Sequence, residues 1–395
     1  MKIDTDKKKI KEILERGIER AIDKKSLLEK LSSGKILRVK HGVDPTGPNI
    51  HIGRAMQLWK LRAFQELGHK VVLIIGDFTA QIGDASDKQA IRKPLSLEEI
   101  KENMKDYENQ IGRIVDMKEA EVHYNSSWLE KLNAKDIISL SMNFTAQQMI
   151  VRRNFKERWE KNKPIGLHEL YYPILQGYDS VAVRADIEIG GYDQLFNLMA
   201  GRRIQEIFKQ KPQDIMVSKM LNGLDGRKMS TSWGNIITII DSPKQMYGKL
   251  MSMRDELIYD YFENCFVVPL EELKDIKKEI SQNPRKMKAL LAKKTVALYH
   301  GEKEALKEEK EFEKIFVEKK APSDILEVKI KEKELLIVDL IFKAGLASSK
   351  NEAKRLVLQG AIKINEKKET DWKKKIAVLK GMVIQSGRRK FIKIA

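Results

Sequence analysis

The first 125 residues alternate between two hydrophobic periods, and that alternation excludes most architectures. "ILRVKHGV" (36–43) reads as a strand, and "RAMQLWKLRAFQEL" (54–67) carries apolar residues at helical spacing before it meets Gly68. "KVVLIIGD" (70–77) reads as a buried strand. "SLEEIKENMKDYENQIGRIVD" (96–116) reads as a helix opened by a Ser96/Glu99 capping box, and "EVHYN" (121–125) as a further short strand. This order predicts an α/β fold, a parallel sheet with helices on its faces. Ligands of such sheets bind beyond the carboxyl ends of the strands.

Downstream the pattern changes. Residues 145–210 read as mostly helical, interrupted by "VAVRADIEIGG" (181–191). After "KMSTSWGN" (228–235) and Pro243 the chain reads as helical to about Lys320, and "KKAPSD" (319–324) reads as a linker. The tail opens with two short helix patterns, "KELLIVDLIFKAG" and "SSKNEAKRLVLQG", followed by the strands "AIKIN" (361–365) and "MVIQSGRRKFIKI" (382–394). The expected division is 1–235, 236–322 and 323–395.

Charge narrows the class of partner. The net charge is +18, which suits an anionic partner such as nucleic acid. From Ala321 to Ala395 there are 18 Lys/Arg against 9 Asp/Glu, so half of the excess sits in the last 75 residues. The longest aliphatic run, "VVLII" (71–75), is too short to span a bilayer, and the charged N-terminus has no apolar leader core. Cys265 is the sole cysteine, so no intrachain disulfide forms and a cysteine-based metal site is disfavoured. A cytoplasmic protein without membrane attachment is expected.

Two polar loops carry the chemistry. "HGVDPTGPNIHIG" runs from a strand through a turn set by Pro45, Gly47 and Pro48 into a helix. Gly53 lets a ligand approach the backbone, a helix N-terminus is a ready anion site, and His51 can donate a hydrogen bond there. "GLDGRKMSTSWGN" (223–235) has two glycines, Arg227 and Lys228, and small hydroxyl residues, as a loop closing over a triphosphate would. Each alone also fits an ordinary turn; it is their joint presence in a βαβ chain that favours a nucleotide.

Together these loops resemble the two signatures of class I aminoacyl-tRNA synthetases, His-Ile-Gly-His and Lys-Met-Ser-Lys-Ser. The bacterial tyrosine-specific family is the most similar, through "DPTGPNIHIG", "GDFTAQIGD" (76–84), "YPILQGYDS" (172–180) and "GGYDQLFNL" (190–198). The resemblance implies a Rossmann-like catalytic domain with a helical insertion, a helical tRNA-binding domain and a small RNA-binding tail of ribosomal-protein type. It implies tyrosine activation with ATP and Mg²⁺, transfer to tRNA(Tyr), and a homodimer; no tightly bound metal of the protein's own is expected. By the same resemblance Thr46, His51 and Lys228 serve catalysis. Asp44, Gly53, Arg54, Gly191, Asp193, Arg227 and Thr231 join His51 and Lys228 around ATP. Lys40, Thr79, Asp84, Tyr172, Gln176, Asp179 and Gln194 surround tyrosine, Asp179 accepting the phenol proton.

Three positions depart from the family pattern. Arg54 stands where a second histidine is commonest, Thr231 replaces the second lysine of the mobile loop, and Lys40 occupies a position where some members carry tyrosine. Lys40 either donates to the phenol or faces away, and Arg227 is a candidate for the missing charge. Alternatives are the tryptophan enzyme of the same fold, a nucleotidyltransferase without tRNA, and a non-catalytic RNA-binding relative. Retention of both His51 and Lys228 argues against the last.

Overall fold

Val71 to Ile75 have almost no exposed surface, because the strand that carries them is covered on both faces. The computed structural model describes residues 3–84, 95–229, 233–318, 325–387 and 390–395, with the side chains of 153 and 154 outside that description. The chain divides into two compact units, Met1–Glu302 and Lys303–Ala395.

The first unit is built on six strands: β1 (Ile18–Ile22), β2 (Arg38–Val43), β3 (Lys70–Ile75), β4 (Glu121–Tyr124), β5 (Ile187–Gly191) and β6 (Asp214–Ser218). Their spatial order is β1-β6-β5-β2-β3-β4. β2, β3, β4, β5 and β6 are parallel, while the edge strand β1 runs antiparallel to β6. The parallel sheet is as expected. Neither β1 nor β6 stands out in the sequence, since "IERAI" is short and half charged, and β6 lies between helical patterns. The order reverses between β2 and β5, and that switch point is where a doubly wound sheet opens a crevice.

The helix Ile52–Glu66 packs Leu58, Leu61 and Phe64 into the core formed with Val39, Leu73 and Ile75. On other faces of the unit, the helices Leu167–Ala182 and Leu195–Ile207 pack Ile174, Val181 and Ile204 together. The expected single helix at 96–116 is two, Leu97–Met104 and Tyr107–Ile111. The Ser96/Glu99 capping box starts the first as expected; Asp106, with φ −118°, leaves the helical region, and Tyr107 and Ile111 are buried beyond it. Helices Pro243–Ser252, Ile258–Asn264, Leu273–Gln282 and Pro284–His300 follow in the same unit, and Trp59 Nε1 donates to Tyr299 Oη at 3.0 Å.

The second unit begins at Lys303, inside the helix Glu302–Phe316. It contains a five-stranded sheet in which Val383–Ser386 pairs antiparallel with both Ile362–Ile364 and Lys390–Ile394. The helices Ile337–Lys343 and Lys350–Leu358 bury Ile337, Leu340, Ile341 and Val357 against Ile362, Ile384 and Ile392. The tail stretch 382–394 thus carries two strands, paired antiparallel.

Candidate active site

A cavity of about 490 Å³ opens at the carboxyl ends of β2, β3 and β5. Its wall takes in Asp44, Thr46, His51, Gly53, Arg54, Thr79, Asp84, Tyr172, Gln176, Asp179, Gly191, Asp193, Gln194 and Lys228, which the sequence scatters over 185 positions. Lys40 and Arg227 are not part of that wall, and Thr231 lies outside the described residues.

One end of the cavity is cationic. His51 is the residue before the Ile52–Glu66 helix, in extended conformation, and its carbonyl accepts from the N–H groups of Arg54 and Ala55. The segment after the second signature clamps this entry: Ile52 N–H donates to the Ile237 carbonyl at 2.9 Å and Ile239 N–H to the Ile50 carbonyl at 3.0 Å. Burial, reinforced by the Arg54 and Lys228 charges, pushes the His51 imidazole down to about 3, so it is neutral at physiological pH. A neutral imidazole still donates one hydrogen bond, and it brings no charge to a ground-state phosphate. A Cβ on Gly53 would lie 3.1 Å from His51 Nδ1 and 2.9 Å from Met229 Sδ, so glycine lets the ring and the second signature close together.

Arg54 donates to Thr46 Oγ1 at 2.7 Å and to Tyr107 Oη at 3.0 Å, which aims its guanidinium across the strand-end turn. Lys228 reaches into the cavity from the second loop, 3.8 Å from Asp193 Oδ2. Arg227 turns elsewhere: its guanidinium pairs with Asp225 at 2.5 Å and stacks over Trp233 at 4.7 Å.

The other end is acidic. Tyr172 Oη donates to Asp44 Oδ2 at 2.9 Å and Thr79 Oγ1 to Asp44 Oδ1 at 2.8 Å. Gly76 must lack a side chain, because a Cβ there would sit 2.0 Å from Asp44. Gln194 Nε2 donates to Asp84 Oδ2 at 2.6 Å, and Asn197 Nδ2 donates to both Gln176 Oε1 and Gln194 Oε1 at 2.9 Å. Asp179 is 2% exposed at the cavity's inner end, where Trp128 Nε1 donates to it at 2.8 Å and Asn125 Nδ2 at 3.4 Å. Burial raises its carboxyl to about 7, with Lys40 and the two donors acting in the opposite direction.

Lys40 lies behind the wall. Its ammonium meets Glu188 Oε1 at 2.8 Å, donates to Ser180 Oγ at 2.8 Å and to the Gln176 carbonyl at 3.3 Å, and is wholly buried. Of the two orientations open to it in sequence, it takes the one away from the cavity, its donors occupied by Glu188, Ser180 and the Gln176 carbonyl.

Several polar groups at the site belong to no signature. Asn125 and Trp128 follow β4, so the rule of strand carboxyl ends pointed to them. Glu188 was signalled only as a charge inside the buried run "IEIGG". His41 lines the cavity with Nδ1 at 2.8 Å from the Ile189 carbonyl, and burial pushes it down to about 4.

A cavity with cations and a helix N-terminus at one end and Asp44, Asp84 and Asp179 at the other suits two reactants side by side, one carrying phosphate and one carrying an ammonium group. The comparisons agree with that chemistry. The family profile described as tRNA synthetases class I (W and Y) matches residues 32–317, and the profile of the tyrosine–tRNA ligase SYY-like C-terminal domain matches residues 315–394. The tyrosine–tRNA ligase of Moorella thermoacetica is 45% identical over 390 residues, covering 97% of this chain and 94% of its own. That of Aquifex aeolicus is 43% identical over 383 residues, covering 97% of each. The fold is shared with the Archaeoglobus fulgidus tyrosyl-tRNA synthetase complexed with L-tyrosine, with a TM-score of 0.62 at 22% identity over 78% of this chain and 100% of that one. A truncated mitochondrial tyrosyl-tRNA synthetase of Aspergillus nidulans gives 0.64 at 21% identity over 79% and 95%. The chain belongs to the class I tRNA synthetases, and within them to the tyrosine–tRNA ligase family.

Proposed function

We propose that this cavity activates tyrosine with ATP and that the tyrosyl group then passes to the terminal adenosine of tRNA(Tyr). In the first step a tyrosine carboxylate oxygen bonds to the α-phosphorus, the bond from that phosphorus to the bridging oxygen breaks, and pyrophosphate leaves. No covalent enzyme intermediate is needed, so the residues act by positioning and by stabilising charge. The supporting observation is the pairing of the two opposite ends in one cavity.

His51 and Thr46 donate to phosphate oxygens as charge develops, and Gly53 underlies the adenosine. Lys228 and Arg54 hold the departing pyrophosphate, and Asp193 with Gly191 receives the ribose. Asp84, Tyr172 and Gln176 surround the ammonium group. Thr79, Gln194 and Asp44 order that pocket, and Asp179 accepts from the phenol. An acceptor left unpaired by phenylalanine penalises the wrong amino acid heavily. Mg²⁺ belongs with the nucleotide as part of the substrate. Its charge would act on the phosphates at the cationic end.

The tRNA is held by segment 236–322 and the basic tail. In the tail Trp372 lies beneath Lys354 at 3.9 Å and Lys373 at 5.3 Å, a combination of ring face and cation suited to nucleic acid. A homodimer is supported by apolar side chains exposed between β4 and β5, among them Met142 (81% exposed) and Leu167 (75%). Among the described residues no helix is long and apolar enough to cross a membrane, and a cytoplasmic location is part of this reading.

The test is amino-acid-dependent ATP–pyrophosphate exchange without tRNA, across the standard amino acids. Exchange with tyrosine alone supports the assignment. Exchange with tryptophan keeps the mechanism and overturns the substrate, and exchange with none overturns catalysis.

A further inference from the structure

The buried pair of Lys40 and Glu188 has no part in the scheme above. Lys40 on β2 and Glu188 on β5 face each other across neighbouring parallel strands, both almost fully buried. Glu188 also lines the cavity, and its second oxygen accepts from Ser180 Oγ at 3.2 Å and from Gln213 Nε2. Lys40 holds the Leu167–Ala182 helix at Gln176 and Ser180, the residues three before and one after Asp179. Lys40 thus ties Glu188 to the helix turn that carries Asp179, and all three side chains are almost wholly buried. Fixed charges placed beside it in a low-dielectric region bear on whether the Asp179 carboxyl keeps its proton.

We propose that Lys40 and Glu188 are positioning residues that set the charge on Asp179, and thereby the discrimination of a phenol from an unsubstituted ring. The inference rests on the reading of Asp179 as the phenol acceptor. Lys40 favours the carboxylate form of Asp179 and Glu188 opposes it. Among the described residues, the side chains that hydrogen-bond Asp179 are Asn125 and Trp128, and neither titrates. Trp128 is in turn packed against the His123 ring, and Asn125 donates to Thr79 Oγ1 at 3.0 Å. On its own helix the nearest ionisable cavity group is Tyr172, which is bound to Asp44. Burial is the largest influence on Asp179; Lys40 is the strongest of the charges acting on it, and Glu188 acts more weakly than the Trp128 and Asn125 hydrogen bonds. An ionised Asp179 accepts from the tyrosine hydroxyl; a protonated one has a proton of its own to place and accepts less well.

The experiment measures the ratio of kcat/KM for tyrosine to that for phenylalanine in pyrophosphate exchange, from pH 5.5 to 9. Taking the ratio cancels the titration of the amino group common to both substrates. In the wild type the ratio should rise through a midpoint near the Asp179 pKa. Lys40→Met should move that midpoint up by about one unit or more, lowering the ratio at least about fivefold at pH 7 and recovering it at high pH. Glu188→Gln keeps an acceptor for Ser180 and should move the midpoint the other way, and the double variant should return it towards the wild type. Either single variant leaves one buried charge without its partner, so thermal melting checks that each folds, and whichever folds tests the direction of the shift by itself. Unchanged midpoints, or shifts in the same direction from both single variants, would overturn the inference. If the wild type shows no tyrosine-dependent exchange, it is the underlying reading that fails.

Discussion

His51 and Asp179 show how burial assigns opposite jobs to two ionisable side chains in one cavity. The imidazole is kept uncharged and the carboxyl is brought into the physiological range, the first cause in both cases being desolvation. His51→Ala should slow single-turnover adenylate formation by about 10²–10³-fold, as loss of one transition-state donor does. Tyrosine affinity, measured by equilibrium titration, should change little, and unchanged activation would remove His51 from its role. Asp179 makes a separate prediction about stability. Its folded value of about 7 lies above the ordinary 3.8, so the folded chain holds an extra proton between those values. Stability from this group therefore falls as pH rises from about 4 to about 7, and the loss is complete above 7. Asp179→Asn removes the titration. Its melting temperature relative to wild type should improve between pH 5 and pH 8 while tyrosine selection is lost; a pH-independent difference would contradict the assignment.

Elements in this fold are joined by charges that have no solvent to fall back on. Arg158, at the end of the helix Arg153–Glu160, makes a two-pronged contact with Glu169 at 2.7 and 2.9 Å, and both side chains are almost wholly buried. Glu169 also accepts from Gly166 N–H at the start of the Leu167–Ala182 helix, which carries Tyr172, Gln176 and Asp179. Burial alone would raise the Glu169 carboxyl, yet the guanidinium and this N–H hold it below its ordinary value. Arg158→Met leaves that carboxylate uncompensated and should cost ~3–5 kcal/mol in denaturant unfolding, whereas Arg158→Met/Glu169→Leu should recover much of it. A loss below ~1 kcal/mol for the single variant would mean that water reaches the site. The Ser96/Glu99 cap at the start of its helix was legible from four letters, because capping is local. The Arg158–Glu169 pair was not legible, since nothing in either neighbourhood says which charge it meets.

For the whole molecule, the division at residue 302 separates a cavity-bearing unit from a basic tail with its own core. Deleting residues 325–395 should leave tyrosine-dependent pyrophosphate exchange within about twofold, while tRNA charging loses salt-dependent affinity through an anionic contact. Filter-binding titrations over a range of salt concentrations would check this. Equal survival of both steps would remove the tail from tRNA recognition.

Period, turn chemistry and composition determined by themselves the parallel sheet, the helix Ile52–Glu66, the helical middle and the basic tail. They did so because each is a short-range consequence of where apolar side chains recur. The two signature loops were legible for the same reason, as turns with anion-binding residue types. Tertiary structure alone decided that β1 and β6 extend the sheet, since a short half-charged strand is stable only where a neighbour supplies the ladder. It decided that Lys40 turns towards Glu188 and that Arg227 rests on Asp225 and Trp233. It also gathered Asn125, Trp128 and Asp179 at one end of the cavity. Those outcomes depend on which charges are enclosed together away from water, and enclosure is a property of the packed chain.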